Sequence, residues 1–172
     1  MDQTANLLGA LSITLASEIW EAINTEFGAT GETGAAVVLL GVEPLSISEL
    51  AAALGITHSG GVRLVNRLVS DELAERQPNP KDSRAVLVAL TSDGHARRER
   101  ALSERAAVLE PALVGLTTLE RTALQGALRK VLAQLVVSPL AGTQICRLCD
   151  EGSCVPRGCP VEDRYRELAA HS

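Results

Sequence analysis

The chain has very little aromatic material: one tryptophan, one tyrosine and one phenylalanine among 172 residues. A core must therefore be built from Leu, Val and Ala, which favours packed helices over a sandwich of sheets. No apolar run approaches the roughly 18 residues of a membrane span, and the N-terminus shows neither a basic start nor a cleavage site. Those absences predict a cytoplasmic protein without membrane contact. The sequence also lacks an HExxH, a phosphate-cradling glycine loop and any Ser/His/Asp arrangement, so no catalytic residue is assigned and an enzyme is not expected. Cysteine is absent from the first 145 residues and then occurs four times. Net charge is −5, an unpromising balance for a polyanion-binding protein.

What is present is concentrated between Leu45 and Thr91, LSISELAAALGITHSGGVRLVNRLVSDELAERQPNPKDSRAVLVALT. Ser46 and Glu49 form a capping-box pattern, and Leu45 and Leu50 stand where a hydrophobic staple closes. Gly55 is a left-handed helix stop. Thr57 then caps a second helix, on which Leu64, Val65 and Leu68 make an inward stripe. Its other faces carry Ser59, Arg63, Asn66 and Arg67, all able to hydrogen-bond a phosphate or a base edge. Gly60 and Gly61 weaken the first turn, but they bare the helix N-terminus for close approach to a phosphate.

Two strands follow, expected at 73–77 and 85–90. Pro78, Asn79, Pro80, Lys81 and Asp82 are expected to form the tip between them. Arg84, oriented by Asp82, suits a narrow minor groove. Helix, turn, helix and hairpin in this order make a winged helix-turn-helix, a duplex-DNA-gripping module. From His58 to Arg84 there are five basic and four acidic side chains. The negative balance therefore lies outside the reading segment, and a modest salt dependence is expected.

The stretch LGITHSGGVRLVNRL…DELAER…NPKDSRAVLVALTSDG resembles the winged-helix core of the MarR (multiple-antibiotic-resistance regulator) family. The likeness covers about residues 30–100, and its most specific part is Asp82 and Arg84 followed by Leu90, Thr91 and Gly94. It implies a dimeric transcription regulator on pseudo-palindromic double-stranded DNA, a repressor by expectation. It also carries the family's wing arginine onto Arg84, the orienting aspartate onto Asp82, and recognition-helix contacts onto Thr57, Ser59, Gly60 and Arg63. A larger apolar residue is usual at Gly61, and a glycine is usual at Glu72.

The flanks read as helices. Residues 4–25 place Leu8, Leu11, Leu15, Ile19 and Ile23 on one stripe beside Trp20. Trp20 is a core or dimer contact, or, by the resemblance, part of a small-molecule effector pocket. After Thr91 a long helix carries Arg97, Arg98 and Arg100, expected to pair with Glu99 and Glu104, and Pro111 is expected to kink or break it. Thr117 and Glu120 open a helix with a broad apolar band from Leu119 to Leu135. Such a band needs a covering partner, and a homodimer supplies one.

Ser138 to Gly142 reads as a break. Beyond it Cys146, Cys149, Cys154 and Cys159 follow the spacing C-x2-C-x4-C-x4-C. Zn2+ is the first expectation for four clustered thiols, since a C-x2-C turn sets two thiolates on one ion. An iron–sulfur cluster is the alternative, with Pro160 after the last cysteine, and a thiol switch is the third. Arg147 and Arg157 are expected to lower the thiol pKa values. The closing segment is expected to fold back on the dimer helices.

The fold expected is mainly α with a small β wing. Residues 1–30 form a dimerisation helix, 31–91 the winged helix-turn-helix, 92–138 the long helices that complete the dimer region, and 139–172 the four-cysteine metal-binding tail. The function expected is a DNA-binding regulator whose tail holds metal and either staples the dimer region or senses metal or redox state. The alternative is a metal or electron carrier that uses its winged helix for protein contact.

Overall fold

The computed structural model describes residues 2–28 and 31–170, with the side chains of Ser83 and Arg84 excepted. It is mainly helical with one two-stranded antiparallel sheet. The first helix, α1 (Gln3–Phe27), ends on Gly28, whose φ of 56° is the left-handed stop that glycine adopts without strain. Helix α2 (Gly31–Leu40) is apolar all round beyond its first turn, and Ala35 to Leu40 are all buried. Such a helix can only lie at the centre, where it backs the reading head.

Helix α3 (Ile47–Leu54) is set by its caps. Ser46 accepts from the Glu49 N–H at 3.2 Å, and Glu49 accepts from the Ser46 N–H at 2.8 Å. Gly55 closes it at φ 69°. Helix α4 (His58–Ser70) starts on Thr57, whose hydroxyl accepts from the Gly60 N–H at 3.1 Å. Leu50, Leu64, Val65 and Leu68 of these two helices join Val37, Leu73, Val88 and Leu90 in one core.

Gly61 is buried and departs from the expected role. A β-carbon there would meet the Ala51 side chain at 3.0 Å and the Ile47 carbonyl at 3.3 Å. The glycine lets α3 and α4 touch; it does not bare a phosphate seat. Only Gly60, half-buried on the outer side, keeps that possibility.

The wing strands are β1 (Ala74–Asn79) and β2 (Asp82–Leu90), longer than expected. Only Pro80 and Lys81 lie between them, and the Lys81 N–H donates to the Asn79 side chain at 2.9 Å. Pro78 stays in β1, paired with Val86, and the register shifts at Pro78/Asn79. The physical reason is that β1 is an edge strand, where a proline costs no ladder hydrogen bond on its open side. On the other edge Leu45 exchanges two main-chain hydrogen bonds with Val88, at 3.1 and 2.8 Å.

Helix α5 (Ser92–Leu113) runs through Pro111, which corrects the expected break. So near the C-terminus the ring removes one intrahelical bond and is tolerated in the last turn. Arg97 and Arg100 do not reach Glu104. Both converge on Glu26 of α1, at 3.4 and 2.7 Å, while Arg98 pairs with Glu99 at 2.8 Å. Helix α6 (Thr118–Leu135) opens on the Thr117–Glu120 capping box and buries none of its residues in the single chain.

The expected break at 138–142 is instead a helix start. Ser138 caps α7 (Pro139–Cys146), accepting from the Ala141 N–H at 3.1 Å, and Pro139 takes the first position, where its missing N–H is harmless. Short α8 (Glu151–Cys154), a single 3-10 turn at Val155–Arg157 and α9 (Pro160–Ala169) complete the chain. α9 does pack on α6, but α7 packs on α3, so the tail also contacts the reading head.

Candidate functional site

Two groups of side chains stand out, one on the outer face of α4 and one in the tail. Thr57, which caps α4, and Ser59, Arg63, Asn66 and Arg67 on it are all exposed while Leu64, Val65 and Leu68 are buried, so a single 13-residue helix presents a core face and a polar outer face at once. Ser59 lies 3.2 Å from the Thr57 hydroxyl. Among the described residues, Arg63 and Arg67 have no hydrogen-bond or ion-pair partner, as a side chain kept for an anion requires. Asn66 differs: it accepts from Arg76 of β1 at 2.6 Å, a bond that ties α4 to the wing. Arg76 thus joins this group of polar side chains, and sequence spacing alone gave no signal for it.

Lys81 and Asp82 are exposed at the wing tip. The side chain of Arg84 lies outside the described residues; its main chain is in β2, two residues past Asp82. A helix with two exposed arginines, flanked by a hairpin that carries Lys81 at its tip, can lie in a major groove with the wing over the backbone.

Residues 30–85 match the MarR family. The chain carries a MarR-family winged-helix domain. The solved structures agree. RV1404 from Mycobacterium tuberculosis is 26% identical, with a TM-score of 0.65 over 78% of this chain and 95% of its own. Apo MarR from E. coli is 27% identical, with a TM-score of 0.59 over 73% of this chain and 96% of its own. A MepR mutant from S. aureus, solved bound to an oligodeoxyribonucleotide, is 20% identical and shows the fold alone, with a TM-score of 0.57 over 78% and 99%. No curated protein matches the chain. In this MarR-type fold α4 is the second helix of the helix-turn-helix, and β1 and β2 are the wing.

The second group is the thiols. Cys146 ends α7, Cys149 follows the turn, Cys154 ends α8 and Cys159 precedes α9. The Cys149 N–H donates to the Cys146 carbonyl at 2.8 Å, the tight turn that a C-x2-C pair needs. The Cys146 thiol donates to Cys149, which lowers Cys149 to about 7; burial opposes the shift and Arg105 of α5 assists it. The same bond, with burial, pushes Cys146 far up. Cys154 is raised to about 11, by burial first and then by its hydrogen bond with Cys159.

Arg147 and Arg157 do not act as expected. The assisting cations are Arg105 and Arg129, while Arg147 lies over the Trp20 ring at 5.7 Å from its centre. Trp20 is thus half-covered by a tail arginine.

Among the described residues no three His, Cys, Asp or Glu side chains already surround a point where an ion would sit. The donor set nevertheless fits a soft metal: two touching thiol pairs, each sensing a thiol of the other pair. Cys146, Cys154 and Cys159 also share a small core with Val136 and Val161. Zinc or an iron–sulfur cluster held there would supply four thiolate bonds in place of the thiol contacts.

Between this core and the head lies a cavity of about 330 Å³, lined among others by Leu45, Glu43, Cys146, Glu151 and Glu162. Burial, and then the Glu162 and Glu43 charges, push the Glu151 carboxyl up. The seam between tail and head is therefore open and acidic. No helix among the described residues is long and apolar enough to cross a membrane.

Proposed function

We propose that this chain is a sequence-specific, double-stranded-DNA-binding transcription regulator acting as a homodimer, a repressor in its resting role. The observation that carries the reading is the outer face of α4, where Arg63 and Arg67 stand exposed and unpaired above a fully packed inner face. MepR, which shares the fold, was solved bound to an oligodeoxyribonucleotide; in this reading α4 lies in a major groove as helix-turn-helix recognition helices do, with the wing, Lys81 and Arg84 included, against the adjacent backbone. A pseudo-palindromic operator follows from a two-fold dimer.

The dimer is supported by apolar surface that one chain leaves bare. Leu119 is 80% exposed, Leu135 56%, and Leu7 of α1 61%. Helices at both ends of the chain thus offer faces for a second copy to cover. The four cysteines add a metal site to this regulator, zinc first and an iron–sulfur cluster as the alternative, through which metal or redox state reaches DNA binding.

The test is duplex binding at low salt by wild-type, Arg63→Ala and Arg84→Ala proteins, with metal and sulfide analysis of anaerobically purified samples. Loss of affinity in both variants supports DNA reading by helix and wing. Unchanged retention in both would sink it. Visible absorption with iron and sulfide identifies a cluster, whereas a colourless sample with one zinc per chain identifies a zinc site.

A further inference from the structure

The four-cysteine segment contacts more of the molecule than an appended tail requires. On one side α7 lies against α3, and the Gln144 side chain donates to the Ala52 carbonyl at 3.0 Å. That carbonyl also accepts the Gly55 N–H at 3.1 Å, the bond that closes α3 just before Thr57 starts α4. Cys146 ends the same short helix that carries Gln144. On the other side, α9 lies on α6, Arg129 of α6 donates to the Gly158 carbonyl, and Val136 and Leu132 pack with Cys146, Cys154 and Cys159. Arg147 reaches α1 at Trp20.

We propose that the four-cysteine segment is a metal-dependent clasp between the dimer-forming helices and the DNA-reading head, and that α7 is its lever, acting through Gln144 on the C-terminus of α3. The inference rests on the reading that the cysteines hold a soft metal or cluster. Its physical basis is the smallness of the segment's own core. Among the described residues its buried core side chains are Val136, Cys159 and Val161, too few to order three short helices without a cross-link.

Four thiolates drawn onto one centre fix Cys146 relative to Cys154 and Cys159, and so fix α7 relative to α6. The seam on the head side is held differently. It contains the acidic cavity and one described side-chain hydrogen bond, Gln144 to Ala52, and is the place where the clasp can let go. Release leaves α3, and α4 after it, free to change angle against α6. In a dimer that alters the separation of the two reading helices and hence operator affinity.

The test uses the full-length chain and a duplex selected by the wild-type protein from a random-sequence library. Metal content and duplex Kd are measured for loaded and chelated wild-type, Gln144→Ala and Gln144→Glu proteins. Glu keeps the length of the side chain but cannot donate to the carbonyl. The expected result is at least about a fivefold difference in Kd between loaded and chelated wild-type, the low end of ordinary coupling. Both variants should retain full metal content and show that difference reduced to within about twofold.

A full metal effect in both variants, or none in wild-type protein that does carry metal, overturns the inference. A wild-type chain that retains neither zinc nor iron overturns the reading beneath it. The metal analysis thus tells the two failures apart.

Discussion

The Thr91 hydroxyl donates to the main-chain carbonyl of Glu72 at 2.7 Å and at the same time accepts the Gly94 N–H at 3.0 Å. One side chain thereby closes the base of the wing and caps α5. Gly94 is tied to the same spot, because a β-carbon there would collide with the Leu73 carbonyl. The Leu90-Thr91…Gly94 pattern is thus a knot of three backbone segments, and it explains why Glu72 is held where an L-residue is strained.

Glu72 has φ 58°, the one non-glycine residue in the left-handed region among those described. Left-handed geometry costs an ordinary residue roughly 1–2 kcal/mol, part of which glycine returns as unfolded-chain entropy. Glu72→Gly is therefore expected to raise stability by about 0.5–1 kcal/mol. A higher urea midpoint with unchanged slope checks it, and a lower midpoint would contradict the strain.

Much of the head was legible because its signals are local. Ser46, Glu49, Gly55 and Thr57 act on neighbours within four residues, and each does what its type and spacing predict. The wing was misjudged at Pro78, because proline is excluded from strand interiors but not from an open edge. The docking of the tail could not be read at all. Gln144 and Ala52 are 92 residues apart, and an amide side chain carries no periodic signal that names its partner. The fate of Arg147 was hidden for the same reason: charge predicts that it finds a partner, not that the partner is Trp20 rather than a thiol.

The phosphate contacts proposed for α4 predict a salt signature. Each of Arg63→Ala and Arg67→Ala should weaken duplex binding and lower the slope of log K against log salt by about 0.9 per lost contact. Asn66→Ala should leave that slope unchanged, since Asn66 already accepts from Arg76. Anisotropy titrations at several salt concentrations distinguish the cases.

The capping boxes predict a weak acid sensitivity. Glu49 is held below its ordinary value by its bonds to Ser46, and Glu120 likewise by Thr117. A carboxyl with a lowered folded-state pKa contributes stability that is present above its unfolded value, near 4.5, and is lost as pH falls through the folded value. Unfolding midpoints should therefore drop below about pH 4.5, and Glu49→Gln should reduce the drop. Ser46→Ala removes the cap acceptor at any pH and is expected to cost about 1 kcal/mol.

The bare apolar face of α6 predicts oligomeric behaviour. Leu128 and Val131 are each 41% exposed, beside the more exposed Leu135. A charge placed among them loses the burial that a second copy provides. Leu128→Glu is expected to sediment as a monomer, where the wild-type chain sediments as a dimer, and to bind a two-half-site duplex no better than a single half-site. A monomeric wild-type protein at micromolar concentration would refute the role assigned to this face.

The small core of the tail predicts how the chain responds to a chelator. Cys159 is 5% exposed and packs with Val136 and Val161, while Cys146 and Cys154 lie at the margin of the same core. With metal bound, the thiolates cross-link three short helices, and Arg147 and Arg157 lie within the cross-linked span. Without it, those helices depend on a few apolar contacts and should open locally far more often than the head, whose core runs from α2 to β2. Trypsin is therefore expected to cut the chelated chain first at Arg147 and Arg157 and to leave the winged helix intact. Zinc, or a reconstituted iron–sulfur cluster, should slow those cuts at least about tenfold, because metal binding to the ordered segment lowers the population of its open form. Cys159→Ser should behave as the chelated chain even with metal present, since a hydroxyl at that position leaves three soft ligands and a polar group in the core. Equal cutting with and without metal would mean that the segment is ordered by its own packing, and that the cysteines serve some other chemistry.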